Sequence, residues 1–146
     1  IMKESYISDL YVFEEKGKPG RREEQVQVKK GRGIRGDLHF EDPDAPVSIC
    51  TCFVKEWMKR QEVEGLCFQR FKANIWIETQ GEPSGFQKGV QIRCGEASLK
   101  IRRGKGRCFQ ECARVQKGLP CLLKKECWYA VSLSDGRIRV GDCVNY

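Results

Sequence analysis

The sequence predicts a mainly β domain, either a compact barrel or a sandwich, with little helix. Short apolar runs alternate with turn residues along most of the chain, and only one segment has the spacing of an amphipathic helix. The chain has 146 residues, about the length of one ordinary domain. No repeat, low-complexity segment or shift in composition divides it, so we predict a single domain over residues 1–146.

The first half of the chain contains three predicted strands and one predicted helix. Apolar and polar residues alternate over residues 6–13 and 25–28, and a further short strand is predicted at 46–49. Loops rich in glycine, proline and charge separate them. Apolar residues recur four apart from residue 52 to 60, which predicts a helix, and Thr51 can serve as its N-cap.

The second half is predicted to contain only short strands. Apolar runs separated by turn residues lie at 66–71, 74–77, 90–92 and 97–101. Two more runs, at 128–133 and 138–140, flank a turn that contains Asp135-Gly136. Because an Asp-Gly pair favours the positive φ angles of a two-residue turn, these runs are predicted to form a β-hairpin.

The charge and hydropathy of the chain exclude several classes of protein. There are 27 Lys and Arg against 20 Asp and Glu, and 40% of the residues are hydrophobic, which excludes an acidic disordered tail. No apolar run approaches the roughly 20 residues that span a bilayer, and residues 1–10 lack the pattern of a secretory signal. We therefore expect a cytoplasmic protein without membrane association. Nucleic acid is not an expected partner either, because there is no ribonucleoprotein motif, zinc-finger spacing or basic helix.

The most informative cysteine is Cys108. Five cations precede it within eight positions without an intervening acid, namely Lys100, Arg102, Arg103, Lys105 and Arg107. Nearby positive charge favours the thiolate, which is the nucleophile and the metal ligand, so Cys108 is a candidate reactive group. The alternative is a solvated basic turn in which Cys108 packs as a small apolar residue.

The other cysteines allow a structural metal site as an alternative. The chain has nine cysteines, and Cys108, Cys112, Cys121 and Cys127 could together hold zinc, although their spacing lacks the two close pairs that structural zinc sites usually have. The remaining five are expected to pack as small apolar residues: Cys50, Cys52, Cys67, Cys94 and Cys143.

Basic residues near the glycine-rich turns could bind an anion. Guanidinium groups fit phosphate oxygens, and the candidates are Arg32, Arg35, Lys105 and Arg107. Asp37 lies two residues before His39, the only histidine, so the two side chains share a side if the chain is extended. They either close the glycine-rich loop as a hydrogen-bonded pair or bind a ligand. No Gly-x-Ser-x-Gly motif is present, which argues against a serine hydrolase.

Four motifs, in this order, resemble the MOSC domain family, named after the C-terminal domain of molybdenum cofactor sulfurases. They are the segments 33–39 (GIRGDLH), 71–75 (FKANI) followed by Gly81, the basic turn that ends in Cys108, and 136–142 (GRIRVGD). The small stand-alone bacterial members are most similar in length. They also have a second cysteine where Cys112 stands.

The resemblance implies a β-barrel fold and a role in binding the molybdenum cofactor (molybdopterin) or handling its sulfur. In this family Cys108 matches the cysteine thought to carry a persulfide or to face the metal, whereas Asp37, His39 and Asn74 match positions that line the same cleft. These residues include no pyridoxal-phosphate domain, so no bound pyridoxal phosphate is expected. Sulfur would have to come from a cysteine desulfurase or another persulfide donor.

The sequence therefore predicts a domain that binds molybdopterin with Arg35, Lys105 and Arg107 on its phosphate. Cys108 thiolate would take sulfur from a donor persulfide, and Cys112 would release the product by forming a disulfide. The recipient would be a molybdoenzyme or a protein of cofactor biosynthesis. Two alternatives remain: a non-catalytic carrier or insertion partner for the cofactor, and a zinc-stapled binding module.

Overall fold

The computed structural model describes residues 4–106 and 108–146. The elements in chain order are β1 (Ser5–Val12), β2 (Arg21–Glu23), β3 (Gln25–Val28), β4 (Val47–Thr51), α1 (Cys52–Lys59), β5 (Ile75–Glu78), β6 (Gln91–Cys94), β7 (Ala97–Gly104), α2 (Ala113–Gln116), α3 (Leu123–Glu126), β8 (Cys127–Ser132), β9 (Gly136–Arg139) and β10 (Cys143–Asn145).

Seven strands close into a barrel, as the predicted fold class requires. Their order around the barrel is β1-β5-β4-β8-β7-β6-β10, and β10 pairs with β1 to complete the circle. Ser5 lies opposite Val144 in that closing ladder, whereas the second half of β1 pairs with β2 on the same edge. Only β4 and β5 are parallel, because α1 and a long loop carry the chain across between them.

The barrel encloses the main hydrophobic core. Alternate residues of the strands point inward, as in β7, where Ala97, Leu99 and Ile101 are buried and the residues between them are more exposed. A second apolar cluster lies beneath α1 and is centred on Val54, Trp76 and Leu123. No helix in the described residues is long and apolar enough to cross a membrane.

The predicted helix and most predicted strands are confirmed. Helix α1 begins after Thr51, whose hydroxyl accepts a hydrogen bond from Val54 N at 3.4 Å, as an N-cap does. The strand predicted at 66–71 is wrong, because these residues form turns. Phe68 and Phe71 supply the apolar signal there, and they pack onto the second apolar cluster without joining a strand.

The predicted C-terminal hairpin is also wrong, although both of its strands exist. Strand β8 pairs with β4 and β7, so both of its edges are filled, and β9 pairs with β3 instead. The intervening residues are held by other loops: Asp135 accepts a hydrogen bond from Lys30 N at 2.9 Å. A Cβ at Gly136 would lie 2.7 Å from the carbonyl oxygen of Glu96, so this glycine allows a close backbone approach.

Two cysteines are joined that the sequence analysis did not pair, one expected to pack in the interior and one a candidate zinc ligand. Cys50 on β4 and Cys127 on β8 face each other across neighbouring strands and form a disulfide. The four-thiolate zinc site is therefore wrong, since its fourth ligand is already bonded. Residues 4–106 and 108–146 contain no group of three or more cysteine, histidine or carboxylate side chains placed to hold a metal ion.

Glu126 is a buried carboxyl group that the sequence did not single out. It accepts hydrogen bonds from Thr51 Oγ1 at 2.7 Å and from Ser84 N at 3.1 Å, and so ties α3 to the start of α1 and to the loop before β6. Burial raises the pKa of Glu126, although these two donors oppose the rise.

The raised pKa of Glu126 predicts a pH-dependent effect of Glu126→Gln. The folded state holds the proton more tightly than the unfolded state, so the parent loses stability as pH rises from the ordinary glutamate value of 4.5 towards the folded value. Glutamine does not titrate. We expect the unfolding free energy of the variant to increase relative to that of the parent as the pH rises from acid to neutral. Urea unfolding at several pH values measures this difference. The exposed Glu62→Gln is the control, and an equal offset at every pH would contradict the prediction.

Candidate functional site

A cleft of about 450 Å³ lies at one end of the barrel, within the size range of small-ligand sites. Its wall consists of the turn after β1, the loop before β4, the loop before β5, and side chains from β7 and β8. We call it the basic cleft, and its lining residues are Phe13, Glu15, Lys16, Gly17, Lys18, Leu38, His39, Asp42, Ala45, Pro46, Ser48, Arg70, Phe71, Lys72, Asn74, Arg103 and Tyr129.

Positive charge predominates in the basic cleft. Five Lys or Arg side chains line it against two carboxylates. Four of these cations form no ion pair with any described residue: Lys16, Lys18, Arg70 and Lys72. An anion entering the cleft would therefore meet cations that have no competing carboxylate partner, which favours its binding.

The fifth cation, Arg103, is held in place from two sides. Its guanidinium group lies 4.4 Å from the centre of the Tyr129 ring, and its Nε donates to Asp44 Oδ2 at 2.9 Å. Phe71 contacts the same tyrosine edge-on with ring centroids 5.8 Å apart. The cleft thus combines a positioned guanidinium group with aromatic surface, which suits a ligand that has both an anionic group and a flat ring.

A buried hydrogen-bond network forms the floor of the basic cleft. Asn74 Oδ1 accepts from Ser48 N and Ser48 Oγ, both at 3.0 Å. Its Nδ2 donates to Asp37 Oδ1 at 2.9 Å and to the Tyr11 carbonyl at 3.1 Å. Asp37 also accepts from Phe13 N at 2.9 Å. Because every polar atom of the Asn74 side chain is paired, we interpret Asn74 as a positioning residue.

Asp37 and His39 have different surroundings. The Asp37 side chain is fully buried, and its Oδ2 accepts from His39 N at 3.0 Å, so it closes the glycine-rich loop as one of the two expected arrangements requires. The His39 side chain is 57% exposed and lines the basic cleft, with Nδ1 at 3.8 Å from Asp37 Oδ2. Of the pair, only His39 is placed to meet a ligand.

Lys105 interacts with three cysteines from separate segments, and we call these four residues the thiol cluster. Lys105 hydrogen-bonds with the Cys67 thiol and interacts electrostatically with Cys108 and Cys121. Burial lowers the pKa of Lys105, but these sulfur contacts more than offset it, and its pKa lies above the ordinary value. Lys105 is therefore a cation at neutral pH, next to Cys108.

The thiol cluster adjoins the basic cleft at Tyr129. This side chain lines the cleft and also interacts electrostatically with Lys105 and Cys67. Burial raises the pKa of the Tyr129 hydroxyl, so it is protonated at neutral pH and can donate a hydrogen bond. Cys108 is half-buried. No cysteine in the described residues lines the cleft itself.

Cys112 has a different environment from Cys108. It is buried at the start of α2, and its Sγ accepts a hydrogen bond from Leu66 N at 3.4 Å. This donor, followed by the N–H of Val115, lowers the pKa of the Cys112 thiol. Cys112 lines a second cleft of about 420 Å³, which also includes Arg70. Arg70 therefore belongs to both clefts.

Arg35 does not line the basic cleft. Arg35 is exposed and interacts with Asp135 beside strand β9, and it is absent from the described lining of the basic cleft. Arg107 lies outside the described residues. Arg32, another candidate, is paired with Glu41 at 2.7 Å and stacks over Phe40.

Comparison with known families identifies the chain. The model of the MOSC domain matches residues 35–145, which is most of its length. The chain belongs to the MOSC domain family. No curated protein matches it in sequence.

Solved structures show the same fold as this MOSC domain. The YuaD protein from Bacillus subtilis superposes with a TM-score of 0.64 at 16% identity, over 99% of this chain and 97% of that one. YiiM from Geobacillus stearothermophilus has a TM-score of 0.59 at 17% identity, covering 96% of this chain and 73% of that one. YiiM from Escherichia coli gives 0.55 at 15% identity, covering 98% and 69%. At these identities the likeness concerns the fold.

The MOSC domain places several functional candidates in the basic cleft that sequence reasoning missed. Lys16 and Lys18 were assigned to a loop, Arg70 lies within the segment 66–71 that was predicted as a strand, and Lys72 follows it. Their common signal is position, since each lies in a loop next to the end of a strand. Without the strand order, nothing in the sequence indicates that these loops share one end of the barrel.

Proposed function

We propose that this MOSC domain binds the molybdenum cofactor in the basic cleft and accepts sulfur on Cys108. The observation that carries the proposal is the convergence of five cations on a cleft that adjoins a thiol cluster. The MOSC family as a whole is linked to molybdenum cofactor binding or sulfur transfer, and this supports the assignment of ligand class.

The residues of the cleft suit the chemical groups of molybdopterin. A phosphate would be held by the cations of the loops before β5 and after β1, with Arg70 and Lys72 as the main candidates. The flat pterin ring would stack against Phe71 or Tyr129. When bound, the cofactor supplies a metal centre that can take up sulfur. The part of the cofactor that carries the metal would face the Tyr129 side of the cleft, where the thiol cluster begins.

The role of Cys108 is to receive the sulfur. Its thiolate attacks the terminal sulfur of a donor persulfide, a new S–S bond forms on Cys108, and the donor leaves as a thiolate. Lys105 is a cation that interacts electrostatically with Cys108. A cysteine desulfurase is the class of donor that carries such a persulfide, and a molybdoenzyme or a cofactor-biosynthesis protein is the class of recipient.

Cofactor binding is tested by charge removal in the cleft. We expect Arg70→Gln to weaken binding of isolated molybdopterin by about 10- to 100-fold, since a charge-assisted hydrogen bond contributes about 1.5–3 kcal/mol. Fluorescence titration of the pterin at two salt concentrations measures the affinity and its ionic component. Arg93→Gln, on the exposed face of β6, is the matched control. Equal affinities for the two variants would contradict the placement of the ligand.

A non-catalytic carrier is the second candidate function. The observation that favours it is that no described cysteine lines the basic cleft, so the cofactor could be held without reaching a thiol. Incubation with a cysteine desulfurase and free cysteine, followed by intact-protein mass spectrometry, separates the two functions. Sulfur transfer requires one added sulfur atom in the parent and none in Cys108→Ser, whereas a carrier gains none in either.

A further inference from the structure

The barrel wall at β6 and β7 carries positive charge on its outer side. Six side chains of these two strands are not buried, and four of them are cations while none is acidic: Gln91, Arg93, Ser98, Lys100, Arg102 and Arg103. Arg103 lines the basic cleft and belongs to the site already described. The other three cations, Arg93, Lys100 and Arg102, are all exposed, and we call them the basic face.

The register of the sheet brings the basic face together. Lys100 lies opposite Gln91, so Arg93 is its diagonal neighbour on the adjoining strand. Diagonal neighbours of this kind lie about 7–8 Å apart. Arg102 follows Lys100 by two residues, at the irregularity in the pairing of β7 with β8. The residues opposite the basic face on the flanking strands are uncharged, namely Asn145 on β10 and Val131 on β8.

The acids closest in sequence are engaged with other cations. Glu96, in the turn between β6 and β7, pairs with Arg139 at 2.9 Å. Asp44 pairs with Arg103 at 2.9 Å. Among residues 4–106 and 108–146, no carboxylate forms an ion pair with the basic face. Like charges held close together repel one another, so an acidic surface placed against them is attracted.

The basic face leads directly to the candidate site. Arg103 follows Arg102 in the chain and lines the basic cleft. Strand β7 ends at Gly104, and Cys108 comes four residues later. Because four residues span at most about 14 Å, the backbone of Cys108 lies within that distance of the end of β7. A protein that docks on the basic face therefore lies beside both the cleft and Cys108.

We propose that the basic face docks an acidic surface of the protein that donates sulfur to Cys108. The inference rests on the proposed function, because it concerns the donor for that step. Complementary charge increases the rate of encounter and orients the partners, and both effects help to bring a donor persulfide to one thiol. The net charge of +7 attracts acidic partners in general, whereas three unpaired cations on adjoining strands favour one side of the barrel.

A protein is a better match for this surface than nucleic acid. Tight binding to duplex DNA uses many phosphate contacts spread along the helix, commonly about 6–10. The basic face has three cations, and its neighbours on the same strands include the neutral Gln91 and Ser98. A small group of cations among neutral polar residues suits a compact acidic patch on a folded partner.

The test compares two variants of the full chain that lose the same charge. The face variant carries three substitutions: Arg93→Gln, Lys100→Gln and Arg102→Gln. The control variant replaces three exposed cations on or beside the helices: Arg60→Gln, Lys117→Gln and Lys124→Gln. Circular dichroism and urea unfolding establish that both variants are folded before their binding is compared.

The first measurement is binding of a fluorescent polyglutamate peptide, followed by anisotropy at low salt. We expect the face variant to bind roughly tenfold more weakly than the parent, because it loses three charge contacts, and the control variant to change about twofold or less. Arg70→Gln should keep the affinity of the parent for the peptide, whereas the face variant should keep the affinity of the parent for molybdopterin. These two results separate docking from cofactor binding.

The second measurement is the rate at which Cys108 gains sulfur. With an acidic cysteine desulfurase and free cysteine at low salt, we expect this rate to fall roughly tenfold in the face variant and to stay near that of the parent in the control variant. With sodium tetrasulfide, a small donor that needs no docking surface, both variants should react at nearly the rate of the parent. Intact-protein mass spectrometry follows both reactions.

The contrary results overturn different parts of the proposal. Equal losses of peptide binding in the two variants overturn the basic face as the docking site, since net charge would then explain the binding. Tighter binding of duplex DNA than of the peptide, lost in the face variant, overturns an acidic protein as the occupant. An unchanged rate with the desulfurase in the face variant overturns docking of the donor and leaves the proposed function intact. A parent that gains no sulfur from either donor overturns sulfur transfer itself, whatever the peptide result.

Discussion

Asn74→Asp is expected to lower the unfolding free energy at pH 7 by about 3 kcal/mol or more, because it places a second carboxylate against a buried one. The two side chains have the same shape, so packing is unchanged. In the parent, Nδ2 donates to Asp37 Oδ1 and to the Tyr11 carbonyl, and in the variant both acceptors would face another acceptor. Urea unfolding at pH 7 measures the loss.

The loss should shrink as the pH falls. Two carboxylates in contact share a proton readily, so protonation of the pair restores a donor between Asp37 and residue 74. Asn145→Asp, on the exposed end of β10, is the matched control and should change stability little at any pH. A loss of equal size at pH 4 and pH 7 would show that repulsion within the network is not its cause.

Arg114→Met is expected to lower the unfolding free energy by about 3 kcal/mol, since it removes a buried guanidinium group that donates to two backbone carbonyls. Arg114 is 3% exposed, and its guanidinium donates to Val63 O at 2.9 Å and to Pro120 O at 2.5 Å. The same group stacks on Trp57 at 4.8 Å. Methionine keeps the apolar stem and removes the donors and the charge.

The loss of Arg114 should also be visible at the thiols. Its donors tie the loop before β5 to the segment before α3, which carry Cys67 and Cys121 respectively. We expect faster alkylation of both cysteines by iodoacetamide in Arg114→Met, measured by peptide mass spectrometry. Lys117→Met, an exposed cation after the same helix, controls for the change in net charge. If this control lost as much stability as Arg114→Met, the buried contacts could not explain the effect.

Local signals predicted the individual elements well. Helix α1 was predicted because its apolar residues recur at helical spacing and Thr51 caps it, and both are local properties. Strands such as β3, with its alternating Gln and Val, were predicted from a period of two residues. Fold class followed from the number of such strands and the turns between them.

Local sequence patterns did not predict which strands pair with each other. Asp135-Gly136 has the composition of a hairpin turn, yet β8 already has a neighbour on each edge, and β9 completes a separate sheet with β3. The choice is made by the closure of the barrel, which depends on residues distant in sequence. For the same reason four cations of the basic cleft were missed, whereas Asn74 and His39, which lie in motifs that the sequence analysis singled out, line this cleft.

The cysteines show the limit of arguing from neighbours in sequence. Charge near Cys108 indicated a cation beside its thiol, and Lys105 is one. However, Arg103 is directed to Tyr129 and Asp44. Cys127 was grouped with Cys108, Cys112 and Cys121 by its position in the chain, but it is bonded to Cys50 on the neighbouring strand. Sequence proximity does not determine which side of a strand or loop a sulfur reaches.

Pairing between the first and last strands sets the order in which the molecule can be assembled. During synthesis β1 leaves the ribosome long before β10, so part of its edge has no hydrogen-bonding neighbour until residues 143–145 have been made. Contacts of such wide sequence separation slow folding, and an open strand edge is a route to aggregation. The short strand β2 covers the other half of that edge and limits the exposed length during this interval.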